Sequence, residues 1–444
     1  MHTKELIVKN GILVTQNKKH DIFQHGLIHI CHGKIIFVGN EEGYCIPEDA
    51  RLIDAQGGII MPGFINTHTH IGMTLFRTLA DDRADRLRKV LIPLEMKYVT
   101  PELVFLASQH CLVEMIQGGT TTLADMYYFE EKTALACEQA GIRAILAETA
   151  MHASTPDCRS VSETLQRTDI LLEQFSDSES DLITIGIAPH APYTLEKQEL
   201  CNIAECADKR NIPVMSHLAE MNYETTYVHE RFGMSPVEYY DECGLLNDRF
   251  LAAHCLLASH SDLDLLAERG CGIAHNMVAN IKSGKGVAPV PQMLERGMRV
   301  GLGTDGPMSG NTMDMIHQLG YVSKLQKAMH KDPLIMPPQT VVDMATIGGA
   351  QALHMEKKIG SLEAGKRADI IIISTDAPSM YPIYDVYSAL VYCASPRDVQ
   401  TVLVDGRILM ENRHLKTLDA PEIREKCTKY IDIIQADFGK DAPA

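Results

Sequence analysis

The sequence predicts an α/β protein: a distorted (β/α)8 barrel of the TIM type, carrying a small β domain built from both chain ends. Three observations predict it. Eight short apolar runs alternate with longer helical patterns through the middle of the chain. Hairpin-rich segments occupy both termini. Most central runs end in a polar residue able to do chemistry, as strands do where they converge on the active face of a barrel.

The N-terminal segment alternates ELIVKNGILVTQ, GLIHICHGKIIFVG and RLIDAQGGIIMPG with turns at Asn10-Gly11, Gly33 and Gly57-Gly58. Near the other end, Ala368-Asp369 leads into IIIIS, and TVLVDGRILMENR holds an Asp405-Gly406 hairpin turn. The two pieces are expected to meet as a composite β-sandwich of 1–59 plus 358–415. That leaves 60–357 for the barrel and 416–444 for a C-terminal helix and tail. The barrel strands are read from IIMPGFINTHTH, TTTLADMYY, RAILAETAM, ITIGIAPHAP, PVMSHLAE, FLAAHC, CGIAHN and RVGLGTDG. A doubly wound sheet would place a Gly-rich fingerprint after its first strand. Here Gly-Thr-Asp-Gly follows the last one.

The run ends are His68/His70, Asp125, Glu148, His190, His217/Glu220, His254, His275 and Asp305. A polar residue closes any strand that leaves a core, which accounts for one or two histidines. It does not account for five strands ending in His.

Composition narrows the function. The 444 residues carry 41 basic and 58 acidic side chains, a net charge of −17. Phosphate backbones require clustered Lys and Arg, and the densest basic run is only Arg83, Arg86, Arg88, Lys89. Nucleic acid is therefore not an expected partner, nor is an anionic membrane. No apolar run approaches the ~18–20 residues of a spanning helix. Met1-His2-Thr3-Lys4-Glu5 lacks an apolar signal core. Twelve scattered cysteines without a CxxC read as reduced thiols. The expected location is the cytoplasm.

His68-Thr69-His70 is an HxH pair at the end of the first core run. Residues i and i+2 of a strand face one side, so both imidazoles can reach one metal. His217 ends the fifth run and Asp305 the eighth. Three imidazoles and a carboxylate suit Zn²⁺, or Fe²⁺ and Mn²⁺, with a position left open for water.

PGFINTHTH, SHLAE, AAHC, AHN and GTDG, in this order, resemble the amidohydrolase superfamily. The closer resemblance is to its cytosine-deaminase-like aminohydrolases: S-adenosylhomocysteine/5′-methylthioadenosine deaminases, guanine deaminases and s-triazine hydrolases. It extends to the C-terminal GSLEAGKRADI at 360–370. The resemblance implies one divalent metal, expected to be zinc, held by His68, His70, His217 and Asp305. Binuclear members often bridge two metals with a modified lysine on strand four, and ITIGIAPHAPY contains none.

The resemblance also implies roles. Glu220, in HxxE, shuttles a proton to a ring nitrogen of the substrate, where charge develops as the adjacent carbon is attacked. His254 orients the attacking water or stabilises the oxyanion. Asp305 takes the water's proton and passes it to departing ammonia. His190 has two readings, a contact to the heterocycle or a structural histidine. Glu95, in Ile92-Pro93-Leu94-Glu95, likewise either accepts ribose hydroxyls or faces solvent on a helix. Where relatives have Pro and Ser, this chain has Met277 and Ala279.

The expected function is metal-dependent hydrolytic deamination of an amino-substituted N-heterocycle, led by adenosine-type nucleosides. These are 5′-methylthioadenosine, 5′-deoxyadenosine and adenosine. S-adenosylhomocysteine is disfavoured because Glu148 stands where relatives point an arginine inward; Arg86 or Arg88 could compensate from the lid. The alternatives are a guanine or pterin deaminase, an s-triazine hydrolase, or an inactive barrel used for binding. A homo-oligomer is expected. Relatives' lid tryptophan is absent, as the chain has none, and Arg86 stands near its place.

Overall fold

A computed structural model describes residues 5–83, 85–176 and 181–441. The start of the segment read for a signal core, Met1 to Lys4, lies outside them. The middle of the chain forms a closed barrel of eight parallel strands. In chain order they are β1 (Phe64–Thr69), β2 (Thr120–Tyr127), β3 (Arg143–Ala150) and β4 (Ile183–Pro189). The remaining four are β5 (Val214–Leu218), β6 (Phe250–His254), β7 (Gly272–His275) and β8 (Arg299–Leu302). Each of the eight runs read from the sequence contains one of these strands. Most are buried along their whole length, one face on the barrel interior and the other on the helices. Parallel strands buried on both faces read as continuous apolar runs.

Both chain ends build a nine-stranded mixed sheet. Its long N-terminal strand, Glu5–Val14, pairs antiparallel with Ile22–Cys31. It also pairs parallel with Arg51–Asp54 through Leu6 to Lys9, and with Ile59–Pro62 through Ile12 and Leu13. Ile59–Pro62 then pairs with the C-terminal strand Ile370–Ile373, which joins the two ends of the chain. Val8, Ile28, Ile53, Ile60, Ile370 and Leu403 form a core inside this sheet. Ile59, Met61, Ile371 and Val402 face the barrel's core instead.

IIMPGFINTHTH is therefore not one strand. Ile59–Pro62 belongs to the terminal sheet and Phe64–Thr69 to the barrel. Gly63 joins them, and a Cβ there would lie 2.1 Å from Thr121 Cγ2. The C-terminal helix spans Ala420–Asp441. Among the described residues, no helix is long and apolar enough to cross a membrane.

Arg143 locks the two units together. It is fully buried at the start of β3. Its Nε donates to Asp369 Oδ2 at 3.0 Å and its NH2 to Asp405 Oδ1 at 2.9 Å. Both aspartates belong to the terminal sheet's C-terminal half. Removing the cation strands the buried Asp369 carboxylate, while Asp405 keeps Arg367 Nε at 3.5 Å. Arg143→Met is expected to destabilise the protein by about 3–5 kcal/mol, read as a lower denaturation midpoint.

Candidate active site

The C-terminal ends of the barrel strands open into a cavity of about 580 Å³. That is the size of a small-molecule site. Its walls include His70, Glu95, His190, His217, Glu220, His254 and Asp305. Of the residues given metal, catalytic or substrate roles from the sequence, all but His68 line it, and His68 packs against three of them. The His68 ring sits 4.7 Å from that of His70, 5.0 Å from His217 and 5.5 Å from His254.

Two of these imidazoles are aimed by their outer nitrogens. His70 Nδ1 donates to the Met126 carbonyl at 2.6 Å. His217 Nδ1 donates to the His190 carbonyl at 2.8 Å. Both bonds fix the tautomer, leaving each Nε2 as a lone pair. Those two Nε2 atoms face each other at 3.2 Å. Two lone pairs so placed repel unless a cation lies between them. His68 Nε2 is buried without a hydrogen-bond partner. Asp305 Oδ1 adds a carboxylate oxygen 3.4 Å from His70 Nε2. These residues fit a divalent metal in donor type and orientation. Among the described residues that meet at this cavity, two triads have ligand atoms close enough to hold an ion: His68, His70 and Asp305, or His68, His217 and His254.

Local backbone serves this geometry. Asp305 holds a φ of 61° and its N–H donates to the His68 carbonyl at 3.0 Å. Leu251 and Ala253 face the barrel interior, so regular alternation would turn His254 outward. Its left-handed φ of 76° brings the ring back in. Such conformations cost about 1–3 kcal/mol and persist where surrounding structure imposes them. Asp125 lies behind the HxH pair. Its Oδ1 accepts from the Thr69 hydroxyl at 2.5 Å and from Ile71 N–H at 2.7 Å, pinning both sides of His70.

Glu220 stands on the loop after β5. Its Oε1 lies 3.6 Å from His254 Nε2 and is ion-paired with Lys285 Nζ. Burial pushes its pKa up, but His254 and Lys285 prevail and hold it below the usual carboxylate range. Glu224 secures the loop, accepting from the N–H groups of Ala219 (2.7 Å) and Glu220 (2.9 Å). Burial lifts the Glu224 carboxyl to about 8.

Glu95 is on the helix Ile92–Tyr98 and is buried in the cavity wall, not solvent-facing. Burial pushes its carboxyl up to about 8, with the Tyr127 hydroxyl acting in the opposite direction. His190 does two things. Its carbonyl orients His217, and its ring lines the cavity with Nδ1 unpartnered. Burial and His70 lower its pKa to about 4, so the ring is neutral.

Glu148 requires a correction. On β3, Ile145 and Ala147 face the barrel interior and Thr149 lines the cavity. Glu148 therefore points outward, where Arg167 Nε donates to it at 2.6 Å. It does not oppose a substrate carboxylate, and the argument it carried against S-adenosylhomocysteine lapses. Arg86 and Arg88 do line the cavity. Arg86 pairs with Asp81 at 3.1 Å, and the Arg88 guanidinium lies 4.6 Å from the Tyr223 ring centre. His275 sits outside the cavity lining, with both ring nitrogens unpartnered.

Sequence reasoning missed Asn280, whose Oδ1 lies 2.9 Å from His254 Nδ1, and it missed Lys285 and Glu224. Only Glu224 carried a local signal, as the third residue of the helix Asn222–Phe232, where a glutamate caps backbone N–H groups.

Known proteins share this architecture. Residues 59–409 match the model of the amidohydrolase family. A 5-methylthioadenosine/S-adenosylhomocysteine deaminase of Syntrophobacter fumaroxidans is 39% identical over 430 residues, 96% of this chain and 97% of its own. A like-named deaminase 1 of Syntrophus aciditrophicus is 35% identical over 438 residues, 98% of each chain. An adenosine deaminase from Xanthomonas campestris, solved with bound zinc, superposes with a TM-score of 0.94 at 29% identity, covering 97% of this chain and 98% of its own. Fold alone is shared with an atrazine chlorohydrolase of Arthrobacter aurescens complexed with zinc, at TM-score 0.90 and 23% identity over 96% of this chain and 100% of that one. With the family match and these relatives beside the cavity's chemistry, the chain belongs to the amidohydrolase family and is a hydrolase acting on C–N bonds.

Proposed function

We propose that the protein deaminates an adenosine-type nucleoside by hydrolysis, releasing ammonia. The observation that carries this reading is one cavity holding the facing His70 and His217 nitrogens, the Glu220–His254 pair and a buried Glu95. His68, His70, His217 and Asp305 would hold the ion, which we take to be zinc. When bound, it would lower the pKa of water so that hydroxide is available near neutral pH.

The chain's own groups move the protons. Asp305 accepts the proton of the attacking water. Glu220, ionised at rest, takes the water's other proton and delivers it to the ring nitrogen beside the attacked carbon, where negative charge develops. His254, aimed by Asn280, steadies the developing oxyanion. The C–N bond then breaks, with Asp305 returning a proton to the leaving amine. A C–O bond replaces a C–N bond, and water supplies the oxygen.

Glu95 would accept the ribose hydroxyls, which predicts a pH dependence. Its pKa is raised in the fold, so between about 4.5 and about 8 the folded chain keeps a proton the unfolded chain loses. That contribution to stability declines as pH rises through this window. Binding runs the other way, because hydroxyls donate best to a carboxylate. KM for a nucleoside is expected to fall between pH 7 and 9, and Glu95→Gln should flatten that fall.

Ammonia release from 5′-methylthioadenosine, 5′-deoxyadenosine, adenosine and S-adenosylhomocysteine tests the reading, with guanine, a pterin and an aminotriazine alongside. Release from a nucleoside supports it. Release only from the other rings moves the chain to another substrate. We also infer a homo-oligomer working in the cytoplasm. Exposed Tyr381, Tyr384 and Leu334 support the first, and twelve unpaired cysteines the second. Division into 1–59 plus 358–415, 60–357 and 416–444 is proposed with it, the first boundary falling within Ile59–Pro62.

A further inference from the structure

Glu220 must present one carboxylate oxygen to a ring nitrogen and return to the same place each turnover. Its backbone is held by Glu224, but a glutamate side chain has three rotatable bonds beyond that. Among the described residues, two groups reach its carboxylate: Lys285 Nζ and His254 Nε2, both at Oε1. Among the described residues, no hydrogen bond is made to Oε2. Glu220 is the sheltered partner, its side chain 10% exposed, while Lys285 reaches it from the cavity rim with 30% of its side chain exposed. A charge-assisted hydrogen bond of this kind is directional.

Lys285 comes from a different part of the barrel. It sits after the helix Met277–Lys282, on the loop following β7. Gly284 and Gly286 flank it with φ of 66° and 110°, and a Cβ on either would meet nothing within 4 Å. The Lys285 N–H donates to the Asn280 carbonyl at 2.9 Å. Asn280 also aims His254. One short segment thus holds both groups that grip Glu220 Oε1.

We propose that Lys285 is a positioning residue for Glu220: its ammonium anchors Oε1, so that Oε2 is the oxygen turned to the substrate ring. The proposal rests on the deaminase reading for its kinetic consequence, but not for its geometry. Lys285 does not touch the reacting atoms. It acts through the orientation of the group that does, and small misplacements of such groups cost up to about 100-fold in rate.

The test uses the full-length, zinc-loaded protein and its Lys285→Ala, Lys285→Met and Lys285→Arg variants, with 5′-methylthioadenosine as substrate. Lys285→Ala and Lys285→Met are expected to lower kcat by about 10–100-fold with KM changed less than about threefold and zinc content unchanged. Lys285→Arg should recover much of the loss, and added ethylammonium should partly rescue Lys285→Ala. A crystal structure of Lys285→Ala should show the Glu220 carboxylate displaced or spread over rotamers. Wild-type kcat in Lys285→Ala, a loss confined to KM, or an unmoved Glu220 carboxylate would each overturn the proposal. A wild-type enzyme silent on every nucleoside would instead overturn the deaminase reading, while the crystal structure would still judge the anchor.

Discussion

Glu220→Gln is expected to reduce kcat by about 10²–10⁴-fold, the range for losing a general acid–base group. The substitution keeps the side chain's size and its place above His254. It removes the ability to take up and deliver a proton, and it breaks the ion pair with Lys285. KM should change little, because the ground-state nucleoside does not need the proton. Zinc content should match the wild type, since Glu220 is outside both chelating triads. Steady-state ammonia release and metal analysis on the same sample check both halves. A variant with normal kcat would remove Glu220 from the mechanism.

Removing a ligand should have a larger effect. His70→Ala and Asp305→Ala are each expected to emerge from dialysis without bound ion and with activity at background. The two triads share His68, so the informative contrast is between their other members. His254 already has Asn280 behind it and Glu220 at 3.6 Å in front, which places its ring for the developing oxyanion. His254→Ala should therefore keep its metal and lose turnover by about 10²-fold or more. If His254→Ala loses metal while Asp305→Ala retains it, the ligand set is the other triad.

Much of this was legible in the sequence because strand ends carry chemistry. HxH, HxxE and the histidines of AAHC and APHAPY sit where local pattern alone ends a strand, and the barrel gathers them. The errors came from continuity. IIMPGFINTHTH reads as one run because both pieces are wholly buried, and only the crowding of Gly63 against Thr121 marks the crossing between units. Glu148 was misplaced for the same reason. All eight positions of β3 are buried, so no polar alternation reveals which side faces inward, and register decides. The Met126 and His190 carbonyls, Asn280 and Lys285 act through tertiary placement and carry no pattern of their own. The net charge of −17 is likewise a poor guide to the cavity. Arg86, Arg88, Lys282 and Lys285 line it together with Asp81, Asp85, Glu95 and Glu220.

The most direct test of the central claim is ammonia release by the zinc-loaded protein from 5′-methylthioadenosine, with the chelated protein as control. The account predicts stoichiometric ammonia and the matching inosine-type product, abolished by chelation and restored by zinc. Full activity after complete metal removal, or no ammonia from any adenosine-type nucleoside, would contradict it.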